Sequence, residues 1–119
     1  MGEGRFYIET YGCQMNEHDS ERMASILAGE GYVRTDDPRE ANLILVNTCS
    51  VRGKPEHKAY SAIGRFTQLK LRRKGLVVGM AGCVAQQEGE ELLRRFPLLD
   101  LVMGTHQIPR LAEFVKRIR

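Results

Sequence analysis

A chain of 119 residues has room for one domain and not for two full hydrophobic cores. Hydrophobic residues make up 42% and charged residues 28%, as in an ordinary globular protein, and the net charge of +3 is too small by itself to indicate a polyanionic partner. Neither an apolar run of membrane-spanning length nor an apolar signal core is present, so we expect a cytoplasmic protein without a membrane partner.

The first half of the chain predicts strands that alternate with a helix. Residues Arg5–Tyr11 are expected to form a strand, and a helix with Asn16 as its N-cap is expected to run to about Leu27. The apolar stripe of this helix is expected to be formed by Met23, Ile26 and Leu27. A short extended segment, Tyr32–Arg34, then leads to the strand Asn42–Asn47. The nearly continuous apolar run of that strand is typical of a parallel sheet that is covered on both faces.

The second half continues the alternation and ends in a helix. A helix is predicted over Gly53–Gly75, and the apolar run Leu76–Ala81 indicates another buried strand. A helix over Gln86–Phe96 and a short strand over Leu99–Met103 follow. From Ile108 onward an amphipathic helix is expected, with an apolar stripe formed by Ile108, Leu111, Val115 and Ile118. The whole pattern predicts an α/β fold. We expect a three-layer, doubly wound, mostly parallel sheet of about five strands, of the Rossmann or flavodoxin type.

Each of the three cysteines follows a predicted strand. Cys13 and Cys49 are 36 positions apart, and Cys49 and Cys83 are 34 positions apart. Because the carboxyl ends of parallel strands lie along one edge of a sheet, where open α/β folds bind their ligands, we expect these thiols to converge. An odd number of cysteines without a secretory signal does not indicate a disulfide framework.

Three convergent thiols suit an iron–sulfur cluster. The N-termini of the following helices favour the thiolate form, and such a cluster normally takes four ligands. A four-iron cluster on Cys13, Cys49 and Cys83 would therefore keep one coordination position open. Polar residues beside the cysteines are candidates for hydrogen bonds to the cluster sulfurs, although cap and turn roles explain them equally well; they are Gln14, Asn16, Asn47 and Arg52.

Other interpretations of the sequence stay open. A structural zinc site would need a fourth ligand such as His57 or His106, but no CxxC pair is present. The chain could also be a thiol redox sensor, or a nucleotide-binding module with incidental thiols, although its first strand–helix turn lacks a glycine-rich phosphate-binding pattern. The basic clusters at Lys70–Lys74 and Arg110–Arg119 fit either solvated helix ends or RNA contact.

Three ordered motifs carry a resemblance to a known family. The segments Tyr11–Asn16 with Asp19–Glu21, Asn47–Arg52 and Gly82–Gln86 resemble the N-terminal domain of the radical-SAM methylthiotransferases. The Gln-Met-Asn that follows the first cysteine is similar to the branch that modifies tRNA (the MiaB type). The branches that act on threonylcarbamoyl-adenosine and on a ribosomal protein differ there and are the alternatives.

The resemblance implies that residues 1–119 are a single N-terminal methylthiotransferase domain whose cysteines hold an auxiliary 4Fe–4S cluster. It implies an enzyme that attaches a methylthio group to C2 of isopentenyladenosine beside the tRNA anticodon, with S-adenosylmethionine and a second 4Fe–4S cluster. The second cluster needs a CxxxCxxC loop, which this sequence lacks, as it lacks the RNA-binding TRAM domain. The implied partners are the tRNA anticodon stem-loop and the enzyme's own radical-SAM and TRAM domains, and the isolated chain is expected to be inactive.

Overall fold

The structure, a computed structural model, describes residues 4–11, 14–48, 50–51, 54–55, 57–82 and 90–118. Within these ranges the strands are β1 (Arg5–Thr10), β2 (Val33–Arg34), β3 (Leu43–Thr48), β4 (Ser50–Val51), β5 (Lys54–Pro55), β6 (Val77–Gly82) and β7 (Leu101–Met103). The α-helices are α1 (Gln14–Gly29), α2 (His57–Leu69), α3 (residues 90–95) and α4 (Leu111–Ile118). Two 3-10 helices cover Pro38–Glu40 and Thr105–Arg110.

The central element is a parallel sheet with the strand order β2-β1-β3-β6-β7. Counted by these five strands alone, the order is 2-1-3-4-5, which is the flavodoxin-type order. The chain moves outward from β1 to β2 and then in the opposite direction from β3 to β7, so the topological switch point lies between β1 and β3. The predicted doubly wound parallel sheet of five strands is confirmed.

Helices cover both faces of the sheet and produce the predicted three layers. The core on one face is formed by α2, α3 and the residues that they contact; its largest members include Ile44, Ile63, Phe66, Met80 and Leu92. The core on the other face is formed with α1 and α4, and its members include Phe6, Met23, Leu27, Leu45 and Leu111. Burying each such side chain stabilises the fold by roughly 1.5–3 kcal/mol. Strands β3 and β6 contribute side chains to both cores, as their apolar runs predicted.

The beginning of α1 differs from the sequence prediction. The helix begins at Gln14, so Asn16 lies within its first turn and is not the N-cap. The prediction relied on the preference of asparagine for cap positions, which is a weak local signal. The buried stripe of this helix is as expected, with Met23 and Leu27 fully buried and Ile26 partly buried.

The helix predicted from Gly53 to Gly75 is shorter at both ends. Residues Lys54–Pro55 pair with Ser50–Val51 in a small antiparallel ribbon, and α2 begins only at His57. Proline lacks an N–H group and favours extended backbone in the residue before it, which fits the ribbon. At the other end, α2 stops at Leu69, and a series of turns leads to Gly75, whose φ of 91° is a left-handed value that favours glycine.

The C-terminal region also differs in detail. The strand β7 is limited to Leu101–Met103, and the segment at Ile108 lies in a 3-10 helix that contains Pro109. The regular helix α4 begins only at Leu111. Ile108, Leu111 and Val115 are nevertheless buried, as the amphipathic pattern predicted. The first part of the helix predicted over Gln86–Phe96 lies outside the described residues, whereas residues 90–95 are helical.

Candidate metal centre

The three strands that precede the cysteines in sequence are neighbours in the sheet. Thr10 at the end of β1 is in register with Asn47 of β3, and Thr48 at the end of β3 is in register with Gly82 of β6. The N–H of Tyr11 donates to the carbonyl of Asn47 at 2.8 Å and extends this pairing beyond β1. Because neighbouring strands are about 4.8 Å apart, the three segments leave the same edge of the sheet side by side.

Cys13, Cys49 and Cys83 themselves lie outside the described residues, as does Arg52. Their convergence therefore stays a prediction, and it rests on the described strand ends that precede them. Gln14 and Asn16 lie in the first turn of α1. Of the two histidines considered as zinc ligands, His57 opens α2 and His106 is exposed in the 3-10 helix after β7. Within the ranges that the structure describes, no three His, Cys, Asp or Glu side chains form a metal site.

Gly82 determines how closely β6 approaches β3 at this edge. Its φ is 117°, a left-handed conformation that side chains other than hydrogen rarely adopt. A Cβ atom at this position would lie 1.9 Å from the carbonyl oxygen of Thr48 and 3.1 Å from Oδ1 of Asn47. A glycine is therefore required at the last position before Cys83.

A buried polar network connects α1 to the ends of β1 and β3. The Asn47 side chain is fully buried, and its Nδ2 donates to Oγ of Ser20 at 2.9 Å. The hydroxyls of Ser20 and Thr10 are hydrogen-bonded to each other at 2.6 Å, and either one can be the donor. Asn47 was predicted as a hydrogen-bond donor around the cluster, and the structure shows its amide bound to the helix.

Sequence reasoning missed the role of Ser20. This residue is 2% exposed and lies on the buried stripe of α1 together with Met23, Ala24 and Leu27. These four positions have the i, i+3, i+4, i+7 spacing of one helix face. A serine within an apolar stripe needs a hydrogen-bond partner in the core, and that signal was available in the sequence.

A second polar cluster lies on the other face of β1, against α2. The hydroxyl groups of Tyr7 and Tyr11 donate to the two carboxylate oxygens of Glu9, and Nη2 of Arg65 lies 3.7 Å from Oε2 of Glu9. Burial and, after it, the hydrogen bond to Glu9 raise the pKa of both tyrosines above the usual value. Both phenols are therefore protonated at neutral pH and can donate to Glu9. The bond from Tyr11 attaches the segment that leads to Cys13 to β1.

Part of the first basic cluster has a structural role at the opposite edge of the sheet. Lys70 forms an ion pair with Asp100, and its Nζ donates to the carbonyl of Leu98 at 2.9 Å. Nη1 of Arg73 donates to the carbonyls of Arg39 and Ala41 at 2.7 and 2.6 Å. Lys70 and Arg73, two of the four cations of this cluster, are therefore used in contacts within the fold.

The strand order and the two helical layers define the chain as an α/β protein of the flavodoxin type. It is similar to the rubredoxin:oxygen oxidoreductase of Desulfovibrio gigas, with a TM-score of 0.65 and 11% identity over 98% of this chain and 36% of that one. It is also similar to flavodoxin 1 of Bacillus cereus, with a TM-score of 0.57 and 12% identity over 94% of this chain and 97% of that one. At these identities the likeness concerns the fold alone.

Sequence comparison assigns the family. Residues 5–104 match the family described as "Uncharacterized protein family UPF0004", and the chain belongs to that family. It is 62% identical to a protein of Geobacter metallireducens over 97% of this chain and 54% identical to one of Geobacter sulfurreducens over 98%. Both relatives are named tRNA-2-methylthio-N(6)-dimethylallyladenosine synthase, and the chain spans 26% of the length of each. The family resemblance drawn from the cysteine motifs is confirmed.

No helix in the described part of the chain is both long and apolar enough to cross a membrane.

Proposed function

We propose that this chain is the cluster-bearing N-terminal domain of a tRNA methylthiotransferase. Cys13, Cys49 and Cys83 would hold one 4Fe–4S cluster with an open coordination position. The observation that carries the proposal is the register of the strand ends, in which Thr10 is paired with Asn47 and Thr48 with Gly82. Each cysteine follows one of these strand ends by one to three positions in the sequence.

The residues present fit such a group. Thiolates are the ligands that iron–sulfur clusters prefer. Four protein ligands are usual, so three thiolates leave one coordination position without a protein ligand. The helix α1 begins at the residue after Cys13, and a helix N-terminus favours a thiolate over a thiol. When bound, the cluster would supply an iron and sulfide site suited to sulfur transfer. The protein itself contributes the fixed strand ends and the buried network that joins α1 to them.

The complete reaction needs more than this chain. The relatives are about four times as long, and we propose that residues 1–119 are the first of three domains, followed by radical-SAM and TRAM domains. The full-length enzyme would attach a methylthio group to C2 of isopentenyladenosine in the anticodon stem-loop of tRNA, in the cytoplasm. S-adenosylmethionine and a second 4Fe–4S cluster would act there, and the CxxxCxxC loop for that cluster is absent from this chain. The names of the relatives favour this substrate over those of the other two branches.

Anaerobic reconstitution with ferrous iron and sulfide tests the proposal. We expect about four irons per chain and a broad absorption at about 400 nm from thiolate-to-iron charge transfer. Cys49→Ala is expected to lose most of this iron, whereas Ser61→Ala, at an exposed position of α2, should behave as the unchanged chain does. A colourless product would contradict the proposal, and binding of one zinc ion per chain in a parallel sample given a zinc salt would then support the zinc alternative.

A further inference from the structure

We propose that Ser20 is a positioning residue for the metal centre. It attaches α1, the helix that follows Cys13, to the ends of the strands that precede Cys13 and Cys49. The segments that carry these two cysteines would thereby be held in a fixed relation. This inference rests on the proposed function, because it concerns how the same site is built.

The contacts of Ser20 join three separate elements. Its Oγ accepts from Nδ2 of Asn47 in β3 at 2.9 Å and is hydrogen-bonded to Oγ1 of Thr10 in β1 at 2.6 Å. Thr10 is the last residue of β1, and it is in register with Asn47. The network therefore lies where the chain leaves the sheet toward Cys13 and Cys49, at the switch point of the fold.

Burial makes these bonds consequential. Ser20 is 2% exposed and Asn47 is fully buried, so water cannot readily replace a lost partner. The side chains that share the stripe with Ser20 are apolar, which means that packing alone would be served by alanine at this position. The hydroxyl therefore does more than fill space. Its hydrogen bonds attach α1 to the ends of β1 and β3.

Thr67 provides a matched comparison elsewhere in the fold. It is also buried, at 7% exposure, but among the described residues its Oγ1 donates only to carbonyls of its own helix, Ile63 at 2.8 Å and Gly64 at 3.2 Å. Removing the Thr67 hydroxyl therefore deletes a buried hydrogen bond without releasing one element from another. Thr67→Val controls for the general effect of losing a buried hydroxyl.

The test compares Ser20→Ala with Thr67→Val after anaerobic reconstitution of the 119-residue chain. We expect Ser20→Ala to lose iron to a chelator about tenfold faster than the unchanged chain, as is typical when a residue that supports metal ligands is removed. We also expect an altered electron paramagnetic resonance spectrum of its reduced cluster. Thr67→Val should match the unchanged chain in both measurements, with the urea midpoints of all variants recorded in parallel.

A second variant keeps the test decisive if Ser20→Ala folds poorly. Thr10→Val removes the other hydroxyl of the network and should reproduce the faster loss of iron. If Ser20→Ala and Thr10→Val both behave as Thr67→Val does, the positioning role is wrong although the proposed function stands. If the unchanged chain takes up no iron, the proposed function and this inference fall together.

Discussion

Gly82 shows at the scale of one residue how the edge of the sheet is built. Its left-handed backbone and the contact that a Cβ would make with the Thr48 carbonyl are two independent requirements for glycine. Both arise from the pairing of β6 with β3, which brings the segments before Cys49 and Cys83 together. The spacing of these two segments therefore depends on a position that has no side chain.

We expect Gly82→Ala to lower the free energy of unfolding by more than about 2 kcal/mol, because a left-handed conformation alone costs an alanine about 1–3 kcal/mol. Gly64→Ala is the control, since Gly64 lies within α2, where an added Cβ would meet no described atom within 4 Å beyond its own chain neighbours and the backbone of the helix. That substitution should instead stabilise the chain by roughly 0.5–1 kcal/mol. Urea unfolding followed by circular dichroism measures both changes, and equal stability of the two variants would contradict the structural interpretation of Gly82.

The sequence predicted which residues are buried better than it predicted what polar residues do. Apolar spacing correctly identified Met23 and Leu27 as core residues, because burial follows from helix periodicity alone. Asn16 was wrongly assigned as a cap, since the end of a helix depends on how the preceding loop leaves the sheet. Asn47 and Ser20 are hydrogen-bonded to each other although they are 27 residues apart in the sequence. A local sequence pattern cannot reveal such a pairing.

At the scale of elements, boundaries were the uncertain part of the prediction. The buried strands β3 and β6 were found within one residue of their ends, because two-sided burial produces an unbroken apolar run. The start of α2 was predicted too early because a proline such as Pro55 is compatible both with the first turn of a helix and with an extended segment. The ribbon of β4 and β5 decides between these possibilities through hydrogen bonds that four residues of sequence do not reveal.

The turn after α2 leads to a prediction about the basic cluster. Arg73→Ala should lower the free energy of unfolding by about 1–2 kcal/mol, because the two carbonyls of Arg39 and Ala41 lose a charged donor. Arg72→Ala removes the same charge from the neighbouring exposed position and should change stability by less than about 0.5 kcal/mol. Thermal unfolding of the two variants distinguishes a structural arginine from a surface charge. A larger effect of Arg72→Ala would contradict the assignment.

At the scale of the whole molecule, described residues other than the proposed metal ligands are sufficient to form a hydrophobic core on each face of the sheet. The two hydrophobic clusters are formed by described residues from both faces of the sheet, and the strand ends are joined by backbone pairing and the Ser20 network. Small zinc-dependent folds, by contrast, lack such a core and are unfolded without their metal.

We therefore expect the reduced, chelator-treated chain to unfold in a single cooperative transition. Reconstitution should raise the midpoint temperature, since a group that binds only the native state stabilises it, without being required for the transition. Circular dichroism melts of the two samples under anaerobic conditions provide the comparison. A metal-free sample that melts without a cooperative transition would show that the cluster is part of the core.

The strand order has a consequence for the order in which folding and cluster assembly occur. All neighbouring strands of the main sheet are parallel, so each pairing closes over a long crossover connection and none forms locally. The ends of β1, β3 and β6 become neighbours only when β3 has paired both with β1 and with β6. A newly made chain therefore presents its cysteine-bearing segments as one site only late in folding. Cluster assembly is thus expected to follow, and not to guide, the folding of the domain.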